Sequence, residues 1–222
     1  MEAVDSSAKS ARRFSVIASL AVAANCAAGC HFSTSDGRWI PAAFWFDGVT
    51  PASVNVVSER LSAPLTSADL LAIESAARRE LQVAFEHTRL QFAGSPKPAF
   101  RVRVVPQPEN GRSYPAAGES RAFGGIRGNG TVHFNIVALS ALAYADRTSG
   151  REALVQAIGR GIGRTAVHEF AHQILGPAGM DGTADLLSYE HKDLRAEHFY
   201  APLHWGPAAA QLQQRIGLRR WR

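Results

Sequence analysis

Residues 165–177 read TAVHEFAHQILGP, and two histidines, His168 and His172, lie four positions apart within this stretch. In an α-helix that spacing places both imidazoles on one face, one turn apart. Two imidazoles arranged in this way can bind one metal ion, and Glu169 then lies near a metal-bound water. Most other residues of the stretch are apolar, as in a helix that packs in a core. The sequence therefore predicts a core helix with one metal-binding face.

The residues on either side indicate where this helix begins and ends. Ser149-Gly150-Arg151-Glu152 has the pattern of a capping box, which predicts a helix start. Apolar residues then recur at four-residue steps from Leu154 to Ala166. Three glycines between Gly159 and Gly163 predict either close packing on another helix or a break between two helices. Gly176-Pro177 is a strong terminator, so we place the histidines in the last turns of the helix.

The composition is that of a globular protein. Of the 222 residues, 46% are hydrophobic and 19% are charged, which excludes a disordered chain and fits one domain. The net charge is +5, but the arginines occur in short, dispersed runs without interleaved aromatic residues. Dispersed arginine is typical of a solvated surface, so we predict no nucleic-acid partner.

Residues 1–30 have the pattern of a signal peptide. Basic residues between Lys9 and Arg13 precede a mostly apolar run, Phe14 to Ala28, which is too short for a confident membrane span. The run ends in Ala-Ala-Gly before Cys30 and resembles the lipobox of bacterial lipoproteins, in which that cysteine is lipidated. We expect an exported, periplasmic or cell-surface protein that contacts a membrane only through this lipid anchor. Plain secretion and an uncleaved anchor are the alternatives.

Residues 31–222 are then expected to form a single domain. The chain has two cysteines, Cys26 and Cys30, and both fall in or at the edge of the signal segment. Any metal in the domain must therefore be held by histidines and carboxylates. The candidates for a third ligand after the helix are Asp181, Asp185, Glu190, His191, Glu197 and His198.

The fold class predicted from the pattern of elements is α+β, with a small twisted mixed sheet packed on two main helices. One of these is the motif helix, and a further helix lies at the C-terminal end. Residues 106–130 are rich in Gly, Pro, Ser and Asn and are expected to lack regular structure. The remaining predictions are a helix from Thr66 or Ser67 to about His87, strands at Phe100–Val105 and Thr131–Val137, and a last helix through Ala208, Leu212 and Ile216.

The motif His168-Glu169-Phe170-Ala171-His172 has the HExxH pattern of zinc metallopeptidases, the zincins. Gly182-Thr183-Ala184-Asp185, followed by Tyr189, resembles the GTxDxxY motif of the aspzincin (deuterolysin-like) metallopeptidases. That resemblance implies that His168, His172 and Asp185 bind Zn²⁺ and that Glu169 is the general base. It also implies that Tyr189 helps to bind the transition state, although this tyrosine lies one residue late in the motif.

Two other zincin arrangements are open alternatives. In a metzincin-like arrangement with a longer loop, Asp181 replaces Asp185 as the third ligand. In a gluzincin-like arrangement, Glu190 or Glu197 supplies it. In each case we expect the unused acids to orient a ligating histidine. The resemblance to zincins also implies an edge strand upstream of the helix that binds the substrate backbone, and Thr131–Val137 lies at that place in the sequence.

The function implied is zinc-dependent hydrolysis of peptide bonds in a peptide or protein substrate. Zinc lowers the pKa of a bound water, and Glu169 takes its proton and passes it to the leaving amine. One alternative is a zinc-binding surface lipoprotein without turnover. The other is a structural or adhesion domain in which the motif is a coincidence.

Overall fold

The computed structural model describes residues 38–54, 56, 59–92, 97–107, 116–176 and 180–218. The predicted signal segment, residues 1–30, lies outside them. No helix in the described part has the length and apolar character needed to cross a membrane. The elements are β1 (Ile40–Phe46), a 3₁₀ turn (Glu59–Leu61), α1 (Ser67–Ala84), β2 (Leu90–Gln91), β3 (Phe100–Val105), β4 (Gly118–Phe123), β5 (Arg127–His133), α2 (Phe134–Tyr144), α3 (Arg151–Leu175), α4 (Ala196–Tyr200) and α5 (Ala208–Ile216).

The five strands form one mixed sheet in the order β2-β1-β3-β5-β4. All neighbouring pairs are parallel except β4 and β5, which are antiparallel. The α+β class with a mixed sheet is therefore confirmed. Among the described strands β4 pairs with β5 alone, so it is the last strand on that side of the sheet, and it lies next to α3.

One face of the sheet is buried and the other is partly exposed. Phe44, Val102 and Gly130 lie side by side across β1, β3 and β5 and are buried. Their neighbours along the strands, such as Trp45 and Asn129, are exposed. This alternation is that of a sheet covered by helices on one face. The buried face belongs to the same hydrophobic core as α1 and α3.

The predicted helix α1 is confirmed, with the expected cap. Thr66 Oγ1 accepts a hydrogen bond from Asp69 N at 3.2 Å, and Asp69 Oδ2 accepts one from Thr66 N at 2.8 Å. This reciprocal pair is a capping box. The helix ends at Ala84, three residues before the predicted end at His87.

The glycines of α3 allow it to pack closely on α1, as one of the two interpretations predicted. A Cβ atom on Gly159 would lie 2.6 Å from Ala76 Cβ, and one on Gly163 would lie 2.6 Å from Ala77 O. Contacts this short do not occur, so a larger residue at either position would push the two helices apart. The helix has no break from Arg151 to Leu175 and ends at Gly176, where φ is 80°.

The predicted start of α3 has the right position but the wrong cap. Gly150 is the N-cap residue, and no side chain caps the helix, so the capping box predicted at Ser149 is absent. The first residue, Arg151, instead binds the Asp69 carboxylate at 2.7 Å and the Pro64 carbonyl oxygen at 2.8 Å. The two N-terminal ends of α1 and α3 are therefore joined by a charged contact.

The predicted strand Thr131–Val137 is wrong in its second half. β5 ends at His133 and α2 begins at Phe134. The buried residues of α2 have helical spacing: they are Phe134, Val137, Ala138 and Ala141. The apolar pattern therefore changes at residue 134 from the two-residue period of a strand to the period of a helix. β5 is also an interior strand of the sheet, between β3 and β4, and so is not the edge strand expected there.

The prediction that residues 106–130 lack regular structure is wrong for their second half. They contain all of β4 and the beginning of β5, joined by a turn in which Gly124 and Gly125 have positive φ. The backbone of β5 at Gly128 lies so close to the Gln173 side chain of α3 that only glycine fits: a Cβ atom on Gly128 would lie 2.5 Å from Gln173 Cβ. The glycine content that suggested a loop therefore makes room for a helix side chain.

Gln173 attaches α3 to the sheet. Its side chain is fully buried, and its amide donates to Arg101 O at 3.0 Å and accepts from Arg101 N at 3.2 Å. A single side chain thus pairs with both backbone polar groups of one residue in β3. Since Gln173 follows His172 directly, these bonds fix the helix at the position that carries the two motif histidines.

Candidate metal centre

The two motif histidines face each other on α3, and one loop carboxylate completes the group. His168 Nε2 and His172 Nε2 are 3.1 Å apart. Asp181 Oδ1 lies 3.0 Å from the first and 3.4 Å from the second. In a tetrahedral zinc site with bonds of about 2.0–2.1 Å, neighbouring ligand atoms are separated by about 3.3 Å. The three donors could therefore hold a metal ion such as Zn²⁺.

The ring of His168 is oriented by a backbone carbonyl. Its Nδ1 lies 2.9 Å from Tyr189 O, and because a carbonyl oxygen only accepts, Nδ1 carries the hydrogen. In the neutral ring Nε2 then carries the lone pair, as a ligating histidine requires, whereas in the protonated ring Nε2 donates a hydrogen bond to Asp181 Oδ1. Burial lowers the pKa of His168, but hydrogen bonds to Asp181 and to Tyr189 O outweigh it, so the pKa is raised.

The other two members of the group have lowered pKa values. Burial, and next the neighbouring His168, lower the pKa of His172. The hydrogen bond from His168 lowers the pKa of Asp181 despite its partial burial. Metal ligands must be a neutral imidazole and an ionised carboxylate. At neutral pH these shifts favour the binding form of His172 and of Asp181.

Asp181 is held at its place by the backbone. Its φ is 67°, in the left-handed region that few residues other than glycine adopt and that aspartate tolerates. Its N–H donates to Glu190 O at 3.3 Å. The loop after α3 is therefore turned back so that the carboxylate points at the two histidines.

Glu169 is buried against the edge strand. A Cβ atom on Gly118 of β4 would lie 2.5 Å from Glu169 Oε1, so the carboxylate fills the space that this glycine leaves. Burial raises the pKa of Glu169 to about 7, although His168 and a hydrogen bond from Ser120 act to lower it. Proton transfer is most efficient for a group that titrates near the working pH.

Asp185, the other loop acid proposed as a ligand, lies elsewhere. Its Oδ2 is 3.0 Å from His204 Nε2, and its Oδ1 accepts a hydrogen bond from Leu187 N at 2.9 Å. Both members of the pair with His204 are about half exposed. The structure thus groups Asp181, and not Asp185, with the motif histidines.

The Tyr189 side chain also lies away from the metal position. It is buried against Trp205, with a ring separation of 5.0 Å. Burial, followed by the charge of Glu80, raises its pKa to about 12. The side chain does not line the cleft described below. Tyr189 contacts the site through its backbone carbonyl oxygen, which orients His168, and not through its phenol ring.

Glu190, one alternative third ligand, binds the start of α5. Its Oε1 accepts hydrogen bonds from Gly206 N at 2.8 Å and from Ala208 N at 2.9 Å. A carboxylate in that place stabilises the positive end of a helix. Glu197, the other alternative, lies in the first turn of α4, and its backbone carbonyl accepts a hydrogen bond from the Arg164 side chain.

A cleft of about 680 Å³ surrounds the group. One wall is β4 with the preceding residues, and another is the segment His191–Leu194. His198 lines it too, and burial lowers its pKa to about 3, so its imidazole is neutral at ordinary pH. The sequence predicted His191 and His198 as ligand candidates and as part of a cleft wall formed by polar residues between 189 and 205. It gave no signal for the β4 wall, since glycine and serine there indicated a loop.

No protein-family model matches this chain, and no curated protein sequence matches it either.

Proposed function

We propose that this protein is a zinc-dependent metallopeptidase. His168, His172 and Asp181 would hold the ion, and Glu169 would act as general base. One observation carries the proposal. The three donor atoms lie 3.0–3.4 Å from one another, and the buried Glu169 carboxylate, one residue after His168, lines the same cleft. A site that only stores metal does not require a base at that position.

Bound zinc supplies Lewis-acid chemistry, activating water and polarising the carbonyl of the bond to be cleaved. The protein's own contribution is a proton acceptor and the orientation of the ligands. Glu169 accepts the proton of the attacking water and delivers it to the leaving amine nitrogen. Ser120 lies in the same cleft lining and acts to lower the pKa of this carboxylate, which opposes the effect of burial. Tyr189 O keeps the His168 ring in its ligating orientation.

The outer side of β4 is the proposed binding site for the substrate backbone. An extended peptide can add to the last strand of a sheet as a further strand through backbone hydrogen bonds. Gly118, Glu119 and Ser120 of β4 line the cleft beside Glu169. The resemblance to zincins implies such a strand, and β4 takes the place that the sequence had suggested for Thr131–Val137.

The proposed ligand set is closest to the metzincin-like arrangement, in which Asp181 is the third ligand. It departs from the aspzincin pattern, which would use Asp185. Export with a lipid on Cys30 stays a prediction from the sequence, and a peptide or protein substrate is part of the proposal.

Glu169→Gln tests the function most directly. The variant keeps the shape of the side chain and leaves all three ligands intact, so zinc content measured by mass spectrometry should stay near one ion per chain. Cleavage of a peptide library by the zinc-loaded protein should fall by about 10²–10⁴-fold, since general-base catalysis contributes on that order. Equal cleavage by the variant and the wild type would contradict the role of Glu169. A wild-type protein purified without zinc, and unable to bind it, would contradict the whole proposal.

A further inference from the structure

We propose that His191 is a substrate-binding residue whose Nε2 atom accepts a hydrogen bond from an N–H or O–H group of the peptide. This inference rests on the proposed peptidase function and adds a contact to its site. The resemblance to aspzincins gave Tyr189 a role in binding, but its side chain lies outside the cleft lining. We assign a hydrogen bond to the substrate to His191 instead.

The tautomer of His191 follows from its one side-chain hydrogen bond. Nδ1 lies 3.2 Å from Thr183 O. A carbonyl oxygen cannot donate, so Nδ1 must carry a hydrogen, and in the neutral ring Nε2 is left as an acceptor. The side chain therefore presents a hydrogen-bond acceptor of fixed identity.

That acceptor is buried and has no partner among the described residues. Nearly all buried polar atoms in proteins are hydrogen-bonded, so an isolated one indicates a group that is satisfied by something else. His191 is one of the residues that line the cleft containing Glu169 and the three candidate metal donors. A peptide in this cleft brings backbone N–H groups, and its side chains bring further donors.

His191 is rigidly attached to the metal site. Its N–H donates to Ser188 O at 3.1 Å. Tyr189 O, two residues earlier, orients His168, and Glu190 O accepts from Asp181 N. Three successive residues, 189, 190 and 191, thus contact a first ligand, a second ligand and the cleft. Binding groups held by such a network need little reordering when the substrate arrives.

A role as a further metal ligand fits the geometry less well. The group of donor atoms that lie within 4.8 Å of one another consists of His168, His172 and Asp181 and does not include His191. We therefore assign Nε2 to the substrate, and zinc affinity becomes a control in the test.

Two variants separate the two nitrogens of the ring. In His191→Asn the side-chain amide can take the place of Nδ1 and keep the bond to Thr183 O, but nothing replaces Nε2. In His191→Gln the amide oxygen reaches the place of Nε2 and the bond to Thr183 is lost. We expect the Asn variant to raise KM about tenfold, which is about 1.4 kcal/mol, with melting temperature unchanged. The Gln variant should keep KM within about threefold and melt at a lower temperature.

The measurements are steady-state kinetics on one cleaved peptide, zinc affinity by chelator competition, and thermal unfolding of each zinc-loaded protein. The reverse order of KM, or equal KM values in the two variants, overturns the proposal and leaves the peptidase function standing. Loss of zinc affinity in His191→Asn overturns it as well, since His191 would then be a ligand. A zinc-loaded wild type that cleaves no peptide overturns the function, and the assignment of His191 with it.

Discussion

Replacing Asp181 with Asn is expected to remove most of the affinity for zinc, whereas the same change at Asp185 is expected to leave it nearly intact. Asp181 Oδ1 lies within 3.4 Å of both histidine nitrogens, and it is the anionic member of the donor set. Asn keeps the size of the side chain but removes the charge that attracts a divalent cation. Asp185 makes its contacts with His204 and with Leu187 N instead.

The size of the effect can be bounded from below. Substitution of residues that only orient a zinc ligand costs about 10–100-fold in affinity. Loss of the ligand itself should therefore exceed about 100-fold, or about 2.7 kcal/mol. The exposed pair of Asp185 and His204 contributes at most about 1 kcal/mol to folding stability. Zinc affinity of Asp185→Asn should accordingly stay within about threefold of the wild-type value.

The assay is competition for zinc against a chromophoric chelator at pH 7.5, with circular dichroism of each apoprotein as a control for folding. A large loss of affinity in Asp185→Asn, together with a small one in Asp181→Asn, would refute the reasoning. It would also favour the aspzincin arrangement, in which the loop rearranges when zinc binds. Equal losses in both variants would refute the claim that one loop acid, and not the other, closes the site.

Three further changes have expected outcomes. Gly118→Ala should displace the Glu169 carboxylate and lower kcat by about tenfold or more, because the new Cβ would lie 2.5 Å from Oε1. Steady-state kinetics measure this effect, with zinc content as a control, and an unchanged kcat would contradict it. Gln173→Met should lower the unfolding free energy by about 1–3 kcal/mol in urea titration, since it leaves the part-buried Arg101 N and O without their hydrogen-bond partner; a loss well below about 1 kcal/mol would count against this account. His198 has a folded pKa of about 3, below its unfolded value of about 6.5, so the unfolded state binds more protons and stability falls as the pH drops below about 6.5. Between pH 7 and 5 the expected loss is about 1–2 kcal/mol, and His198→Gln should reduce this slope in urea titrations at each pH.

The part of the fold that could be predicted from the sequence is the part in which local pattern and tertiary structure agree. The capped helix at Thr66 and the strand Phe100–Val105 have the periodicity and end residues of their class. The histidine pair likewise depends only on helical spacing, so its position on α3 followed directly. The termination at Gly176 needed only the residue itself and the proline after it.

The parts that could not be predicted depend on contacts between distant residues. Gly128 indicated a loop because its close neighbour, Gln173, is far away in the sequence. The choice between the two loop acids depends on the backbone of Asp181, with φ of 67°, and on its bond to Glu190 O. Neither feature leaves a local signal. Tyr189 fitted a motif by its type, but its side chain packs in the core against Trp205.

Glu190 links the start of α5 to the segment that carries Asp181. The side chain is 5% exposed and accepts hydrogen bonds from Gly206 N, just before α5, and from Ala208 N, the first residue of α5, while the backbone of Glu190 holds Asp181. Proteolytic trimming that removes α5 would take away the Ala208 donor, and the surrounding segment would have to open to hydrate the carboxylate. If the proposed site binds zinc, we expect a chain shortened at α5 to bind it more weakly, although no proposed ligand is changed. In the intact protein, loading with zinc should slow hydrogen exchange at the first amides of α5.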